Sequence, residues 1–452
     1  MDDKTSKTLS RRSFIGTTSA ALAGFTILPS TTVSGLGHIA PSDKLNIAGI
    51  GIGGMGRGVL EDVARTENIV ALCDVDWNQA VNRVFNTYPA AKRYKDYRAM
   101  LDNQNDIDAV VVATPDHTHA CISMEAIRRG KHVYTEKPLT HNIYEARMLT
   151  NAARKYKVAT QMGNQGQAND SSRRLREMIW DGAIGPVNEV HVWTDRPNRG
   201  LADTYWPQGV SRPAEVMPVP ASLDWDLFIG PAPMRPFNSS YHPFRWRGWL
   251  DFGTGALGDI GCHSFDPVFR ALKLRYPTSV QAVSTLVNDE TFPLGSMVTY
   301  DFPAREGMPA LRLTWYDGGL RPPRIPGIRE GVQLGAGGTL FIGTRGMILN
   351  NQILPESLSE SYQRPEPHIP SSPGHRQEWL LAAKGGEPGG SNFDWAGPLT
   401  ETVLLGNIAL RPELREKLSY QALEFDPDKL NFPNMPEADE FLRYEYRSGW
   451  SL

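Results

Sequence analysis

The sequence predicts an α/β fold in which a doubly wound parallel sheet is followed by an α+β domain built on a large open, mostly antiparallel sheet. Three observations carry this. Between Lys44 and Gly163, short apolar strand patterns alternate with amphipathic helical ones, the mark of βαβ units. A glycine cluster, "GIGIGGMGRG", lies where the first strand gives way to the first helix. Beyond about Gly185, apolar and polar residues alternate singly, as in strands with one covered face.

Taken in order, "LNIAGIG" is a strand and "GMGRGVLEDVARTE" a helix. "NIVALCD" and "WNQAVNRVFNTY" repeat the pair, and the β-branched "DIDAVVVATP" precedes the amphipathic "HTHACISMEAIRRGK". "HVYTEKP" is a strand that stops at proline, "NIYEARMLTNAARKYK" is helical with Thr140 as N-cap, and "VATQMG" closes the set. In the second half, "VNEVHVWT", "SVQAVSTLVN", "GSMVTYDF", "LRLTWYDG" and "GTLFIGTRGMIL" are the strands of the open sheet. The 34 prolines and 42 glycines, many of them in this half, predict long ordered loops.

The glycines fit a Rossmann dinucleotide fingerprint. Gly51 allows the tight turn, Gly53 lets the backbone approach a pyrophosphate, and Gly56 allows close helix–strand packing. The phosphates then meet free N–H groups at a helix N-terminus. Gly49-x-Gly51-x-x-Gly54 fits the same spacing. Asp74 ends the second strand 18 residues after Gly56, where a carboxylate accepts both ribose hydroxyls and repels a 2′-phosphate. NAD is therefore favoured over NADP. In a purely structural role Asp74 would cap the next helix, and Asp76 is better placed for that.

"ATPDHTHA", "TEKPL", "MIWDGAIGPVNEVHVWT" and "GWLDFGTGALGDIGCHSFD" follow in that order, and the sequence from about residue 44 resembles the glucose–fructose oxidoreductase and inositol dehydrogenase family, Gfo/Idh/MocA. The resemblance implies a Rossmann NAD(P)-binding domain over residues 44–166 and a substrate-binding and oligomerisation domain over 167–452. It places Gly51, Gly53, Gly56 and Asp74 on the cofactor, with Thr114, Pro115 and His119 beside it. Glu136 and Lys137 match the Glu-Lys of its "EKP" motif, with the lysine between nicotinamide and substrate. Asp259 and His263 match its Asp-x-x-x-His pair facing the nicotinamide.

Elementary chemistry supports those roles. Pro138 disfavours helix at Lys137 and so holds the lysine extended at the carboxyl edge of the sheet, where such folds bind ligands. There, partly desolvated and near a nicotinamide cation, Lys137 is expected to have a lowered pKa and to help deprotonate a sugar hydroxyl. Asp259 and His263, at i and i+4, share a helix face. An imidazole titrates near neutrality, so His263 is the general base, and Asp259 binds a hydroxyl or orients that base. The glycines of "GTGALGD" are expected to let the backbone approach a ligand closely. Asn164 and Gln165 follow the last strand and are placed to hydrogen-bond substrate. Aromatic rings crowd the stretch between the first two strands of the second domain, and one or two of them are expected to stack on sugar. His242 is a further substrate candidate. Asp266 and Cys262 read as structural, and no Cys/His cluster reads as a metal site.

The function expected is hydride transfer between a nicotinamide cofactor, held tightly, and a sugar or glycoside carbon. The alternatives are a redox-neutral NAD-dependent glycosidase and a non-catalytic sugar sensor on the same fold. Acidic and basic residues nearly balance at 50 to 47, which leaves no nucleic-acid footprint. "SRRSFIGTTSAALAGF" follows Lys4 and Lys7, and its Ser-Arg-Arg-x-Phe-Ile pattern resembles a twin-arginine signal. Residues 1–40 are thus expected to be an export signal and linker, read by the twin-arginine machinery, which carries folded cargo to the periplasm. That route suits a protein with three cysteines and a nucleotide loaded before export. The C-terminal sheet is the expected surface for homo-oligomers.

Overall fold

The computed structural model describes residues 43–200, 203–325, 327–331, 334–418 and 421–452. The expected export signal lies outside the described residues. Residues 45–452 form one compact unit.

The first half holds strands β1 (Asn46–Ile50), β2 (Asn68–Cys73), β3 (Lys92–Tyr94), β4 (Ala109–Val112), β5 (His132–Thr135) and β6 (Thr160–Met162). They form one parallel sheet in the order β3-β2-β1-β4-β5-β6. Helices α1 (Met55–Val63), α2 (Gln79–Thr87), α3 (Tyr97–Asn103), α4 (Asp116–Arg128) and α5 (Ile143–Tyr156) connect them. The central strand β4 is buried along its whole length, as its Val run requires. Helix α5 starts at a capping box. Asn142 accepts from the Glu145 amide and Glu145 from the Asn142 amide. Thr140, expected as this cap, instead donates its hydroxyl to the Asn142 carbonyl. Asn78, not Asp74 or Asp76, caps α2, accepting from the amides of Ala80 and Val81.

The second half opens with helix α6 (Asp170–Trp180), strand β7 (Val187–Trp193), a short helix α7 (Trp225–Ile229) and the long helix α8 (Gly255–Leu272). Strands β8 (Ser279–Ser284), β9 (Ser296–Phe302), β10 (Leu311–Tyr316), β11 (Gly338–Gly343), β12 (Met347–Leu349), β13 (Gln352–Leu354) and β14 (Leu423–Glu424) join β7 in an eight-stranded sheet. Its order is β13-β12-β11-β7-β10-β9-β8-β14. All pairs are antiparallel except β7 with β10, so the sheet is mixed. The expected strand "GTLFIGTRGMIL" is the β11–β12 hairpin. Helices α9 (Glu356–Ser361), α10 (His375–Ala383), α11 (Phe393–Ala409) and α12 (Pro412–Leu418) complete the chain.

One face of the large sheet packs on α8 and α11, with Phe265 edge-on to Trp315 and to Tyr300. The chain position 166 is a boundary in sequence more than in space. Trp379 of α10 packs on Tyr134 of β5, Arg376 pairs with Asp62 of α1, and one apolar cluster runs from β4 through α11 to β10. Helix α8 is thereby fixed against both sheets, with its first turns at the carboxyl edge of the parallel one. Among the described residues no helix is long and apolar enough to cross a membrane.

Candidate active site

A cavity of about 800 Å³ runs along that carboxyl edge, within the range of about 300–1,000 Å³ usual for ligand sites. At one end lies the glycine turn. Gly51 has φ +79°, and a Cβ there would stand 2.6 Å from the Ala113 carbonyl oxygen. A Cβ on Gly56 would lie 2.1 Å from the Gly51 carbonyl oxygen, whereas one on Gly54 would meet nothing within 4 Å. A Cβ at Gly49 would also be crowded, 2.7 Å from Leu60, and one at Gly53 less so, 3.1 Å from Val81, so the third glycine, Gly56 and not Gly54, is what selects the Gly51, Gly53, Gly56 spacing. Gly51 and Gly53 line the cavity and Gly56 packs behind them. No side chain caps α1, so its first amides stay available to an anion. These features fit a dinucleotide's pyrophosphate.

Asp74 lies beside this turn. Its carboxylate accepts from the amides of Ile52 at 2.8 Å and Asp76 at 3.0 Å. Burial outweighs those bonds and raises its pKa to about 6. A carboxylate has about four lone-pair positions, so acceptor capacity remains for ribose hydroxyls.

At the other end, Lys137, Asp259 and His263 line the same cavity. The Lys137 ammonium donates to the Asp259 carboxylate and to the Asp259 carbonyl, both at 2.7 Å. Arg247 Nε donates to the same carboxylate at 3.0 Å. Burial opposes charge on Asp259, but Lys137 and Arg247 together hold its pKa well below the usual carboxylate range. Two cations thus share one carboxylate at this end of the cavity. With its protons directed at Asp259, Lys137 is an electrostatic and donor group, not the base expected from its place in "EKP". His263 is the base the geometry offers. Burial, and then Lys137, lower its imidazole to about 4, so the ring is neutral at pH 7. Its ring nitrogens have no hydrogen-bond partner among the described residues.

The glycines at the start of α8 serve packing. A Cβ at Gly255 would strike Phe292, and one at Gly258 would lie 1.9 Å from Thr254 Oγ1. That clearance lets Thr254 donate to Asp116 Oδ2 at 2.6 Å. Asp116, which burial raises to about 7, also lines the cavity.

The remaining expected residues divide. Thr114, Pro115 and Glu136 line the cavity. His119 does too, its ring reaching the carbonyls of Pro138 at 2.8 Å and Thr114 at 2.9 Å, which ties together the two loops of "ATPDHTHA" and "TEKPL". Asn164 is buried beneath the site, donating to Asp266 at 2.9 Å, and its neighbour Gln165 reaches the cavity instead. His242 lines the cavity beside the residues that follow β2, its Nε2 bonded to Asp76 at 2.8 Å. Of the aromatic residues, Tyr205, Trp206 and Trp246 line the cavity, and Trp246 also belongs to the core of Tyr241 and Trp249 on which Trp225 packs. Arg196 and Trp450 line it as well. Neither belongs to a motif.

Residues 45–164 match the family model described as "Oxidoreductase family, NAD-binding Rossmann fold", and residues 169–290 match the model for the same family's "C-terminal alpha/beta domain". The chain belongs to the Gfo/Idh/MocA oxidoreductase family. Among curated members, inositol 2-dehydrogenase of Salmonella typhimurium is 28% identical over 146 residues, covering 31% of this chain and 43% of the relative. Glycosyl hydrolase family 109 protein 2 of a Shewanella species is 33% identical over 129 residues, covering 26% and 28%. These matches span less than half the length of the curated relatives. Among solved structures, the WlbA dehydrogenase of Chromobacterium violaceum, in complex with NADH and UDP-GlcNAcA, superposes with a TM-score of 0.59 at 19% identity. It covers 85% of this chain and 97% of its own, a likeness of fold.

Proposed function

We propose that this Gfo/Idh/MocA member is an NAD-dependent oxidoreductase acting on a hydroxyl-bearing carbon of a sugar or glycoside. One observation carries the reading: Lys137, Asp259 and His263 converge at one end of a cavity whose other end holds the glycine turn and Asp74. Bound NAD supplies the hydride acceptor. Neutral His263 accepts the hydroxyl proton, and the cations Lys137 and Arg247 favour the alkoxide character that develops as hydride leaves. Tyr205, half-buried where Trp206 and Trp246 are buried, is the aromatic side chain of this stretch best placed to meet a sugar. A relative named inositol 2-dehydrogenase, and a dehydrogenase of like fold solved with NADH and UDP-GlcNAcA, support this substrate class. The twin-arginine pattern supports export of the folded, loaded protein to the periplasm.

A second reading is net glycoside hydrolysis. The sugar is oxidised transiently, loses its glycosidic group by elimination, takes up water and is reduced again, so no redox equivalent is consumed. The family 109 relative supports it, as does the covering of the nucleotide end by the second domain. The test is to incubate the purified protein with a panel of glycosides and no added cofactor, and to read bound nucleotide and sugar products by mass spectrometry. Bound NAD with cleavage over many turnovers means hydrolysis. Bound NAD with at most one equivalent of keto-sugar means a dehydrogenase. Absence of both would return weight to a sugar sensor.

The raised pKa of Asp74 gives a pH dependence. Only the ionised carboxylate accepts both ribose hydroxyls, and protonation sets in as pH falls through about 6. NAD affinity should be constant above that value and fall below it, about tenfold by pH 5. Asp74→Asn should bind more weakly at neutral pH and show no such dependence. Titration calorimetry at pH 5 and 7.5 checks both: a wild-type affinity independent of pH would show that Asp74 stays ionised at pH 5, and equal affinities of wild type and Asp74→Asn at pH 7.5 would remove Asp74 from the ribose.

A further inference from the structure

We propose that Trp450 and His242 are nucleotide-binding residues that close the adenosine end of the cavity, so that the dinucleotide leaves only when the parts of the chain carrying them open. The proposal rests on the dinucleotide reading of the glycine turn and deepens it. Both residues come from outside the parallel-sheet domain. Both line the cavity beside groups of the first domain that follow β2 and β3, the ends where the adenosine of a Rossmann ligand belongs.

The His242 side is a roof. Residues 220–224 run across the loop after β2. The Trp77 amide donates to the Ser222 carbonyl at 3.0 Å, the Asp224 amide to the Val75 carbonyl at 2.9 Å, and Lys95 Nζ to the Ser222 carbonyl at 2.9 Å. His242 adds its bond to Asp76 and packs edge-on against Phe228. Its Nδ1 is buried without a hydrogen-bond partner among the described residues. His242 lines the cavity on the same side as Asp76, so the bonded pair borders the space that the ribose of a nucleotide would occupy.

The Trp450 side is a wall. Its indole stands next to Tyr97, with ring centroids 6.3 Å apart, and the Arg98 guanidinium covers it at 4.5 Å. Segment 443–452 is pinned on either side of that ring. The Arg447 amide donates to the Pro231 carbonyl at 2.9 Å, and Arg128 donates to the Leu452 carbonyl at 2.9 Å. An aromatic face held this way, partly exposed to the cavity, suits a purine base.

The test reads nucleotide exchange and needs no substrate. The protein is loaded with NADH, passed through gel filtration, and mixed with excess NAD, while loss of bound NADH fluorescence is followed. Trp450→Ala and His242→Ala should each release NADH at least tenfold faster than the wild type. Trp450→Phe, which keeps a ring face, should stay within about threefold of it and shows that the alanine effect is not misfolding. Alanine variants that release at the wild-type rate would overturn the proposal. A wild-type protein that binds no NADH would overturn the dinucleotide reading itself, a result distinct from fast release by the variants alone.

Discussion

His263→Ala should lower turnover by about 10²–10⁴-fold, the span usual for loss of a positioned general base, while leaving the amount of bound nucleotide unchanged. The two halves of this expectation have separate causes. His263 lines the catalytic end of the cavity, four residues along α8 from Asp259, and its ring is not engaged by any described protein group, so its loss removes a proton acceptor without unpairing a neighbour. The nucleotide end, with Gly51, Gly53 and Asp74, is untouched. The pH profile sharpens the test. Burial holds the imidazole near 4, so the base is neutral, and competent, down to about that pH. With nucleotide bound throughout, wild-type kcat/KM, which reports groups of the enzyme before substrate binds, should fall only as pH drops through about 4, not through the 6.5 of a free imidazole. Near-normal turnover in His263→Ala would remove the base assignment. Turnover that fails together with nucleotide binding would show that the ring acts through structure.

Much of this site is legible in the sequence because the chemistry sits on regular elements. The alternation of β1 to β6 with their helices is visible as periodicity, and the site groups fall at strand ends or at helical spacing, as Asp259 and His263 do. The parts that escape are set by contacts distant in the chain. Strand β3 is three residues long, two of them exposed and charged, and offers no pattern. The parallel pairing of β7 with β10 joins strands about 120 residues apart, which alternation cannot reveal. His242 looks like a substrate ligand in an aromatic-rich loop, yet it meets Asp76, 166 residues away. Trp450 reaches the cavity only because the last described segment folds back over Arg98 and Tyr97. Lys137 was readable as a site residue but not as an ion-paired one, because its partner lies 122 residues on and Arg247 belongs to no motif.

The glycine turn offers the second large effect. Gly56→Ala should weaken NAD binding between about 5- and 150-fold and lower thermal stability, whereas Gly58→Ala, two positions on in α1, should do neither. At Gly56 the new methyl would lie 2.1 Å from the Gly51 carbonyl oxygen and 3.2 Å from the Ala113 side chain. The first of these is backbone and has no rotamer to escape into, so either α1 or the turn must move. Such overpacking costs about 1–3 kcal/mol. The movement falls on the turn and helix N-terminus that receive the pyrophosphate, so much of that cost appears in affinity, where each 1.4 kcal/mol is about tenfold. At Gly58 a methyl meets nothing within 4 Å, and alanine is the better helix former by about 1 kcal/mol. Thermal melts with and without NAD, together with calorimetric titration, measure both terms. If the two variants bind alike, the close packing of α1 on the turn is not what positions the pyrophosphate. If Gly56→Ala melts lower yet binds NAD normally, the third glycine supports the fold and not the cofactor.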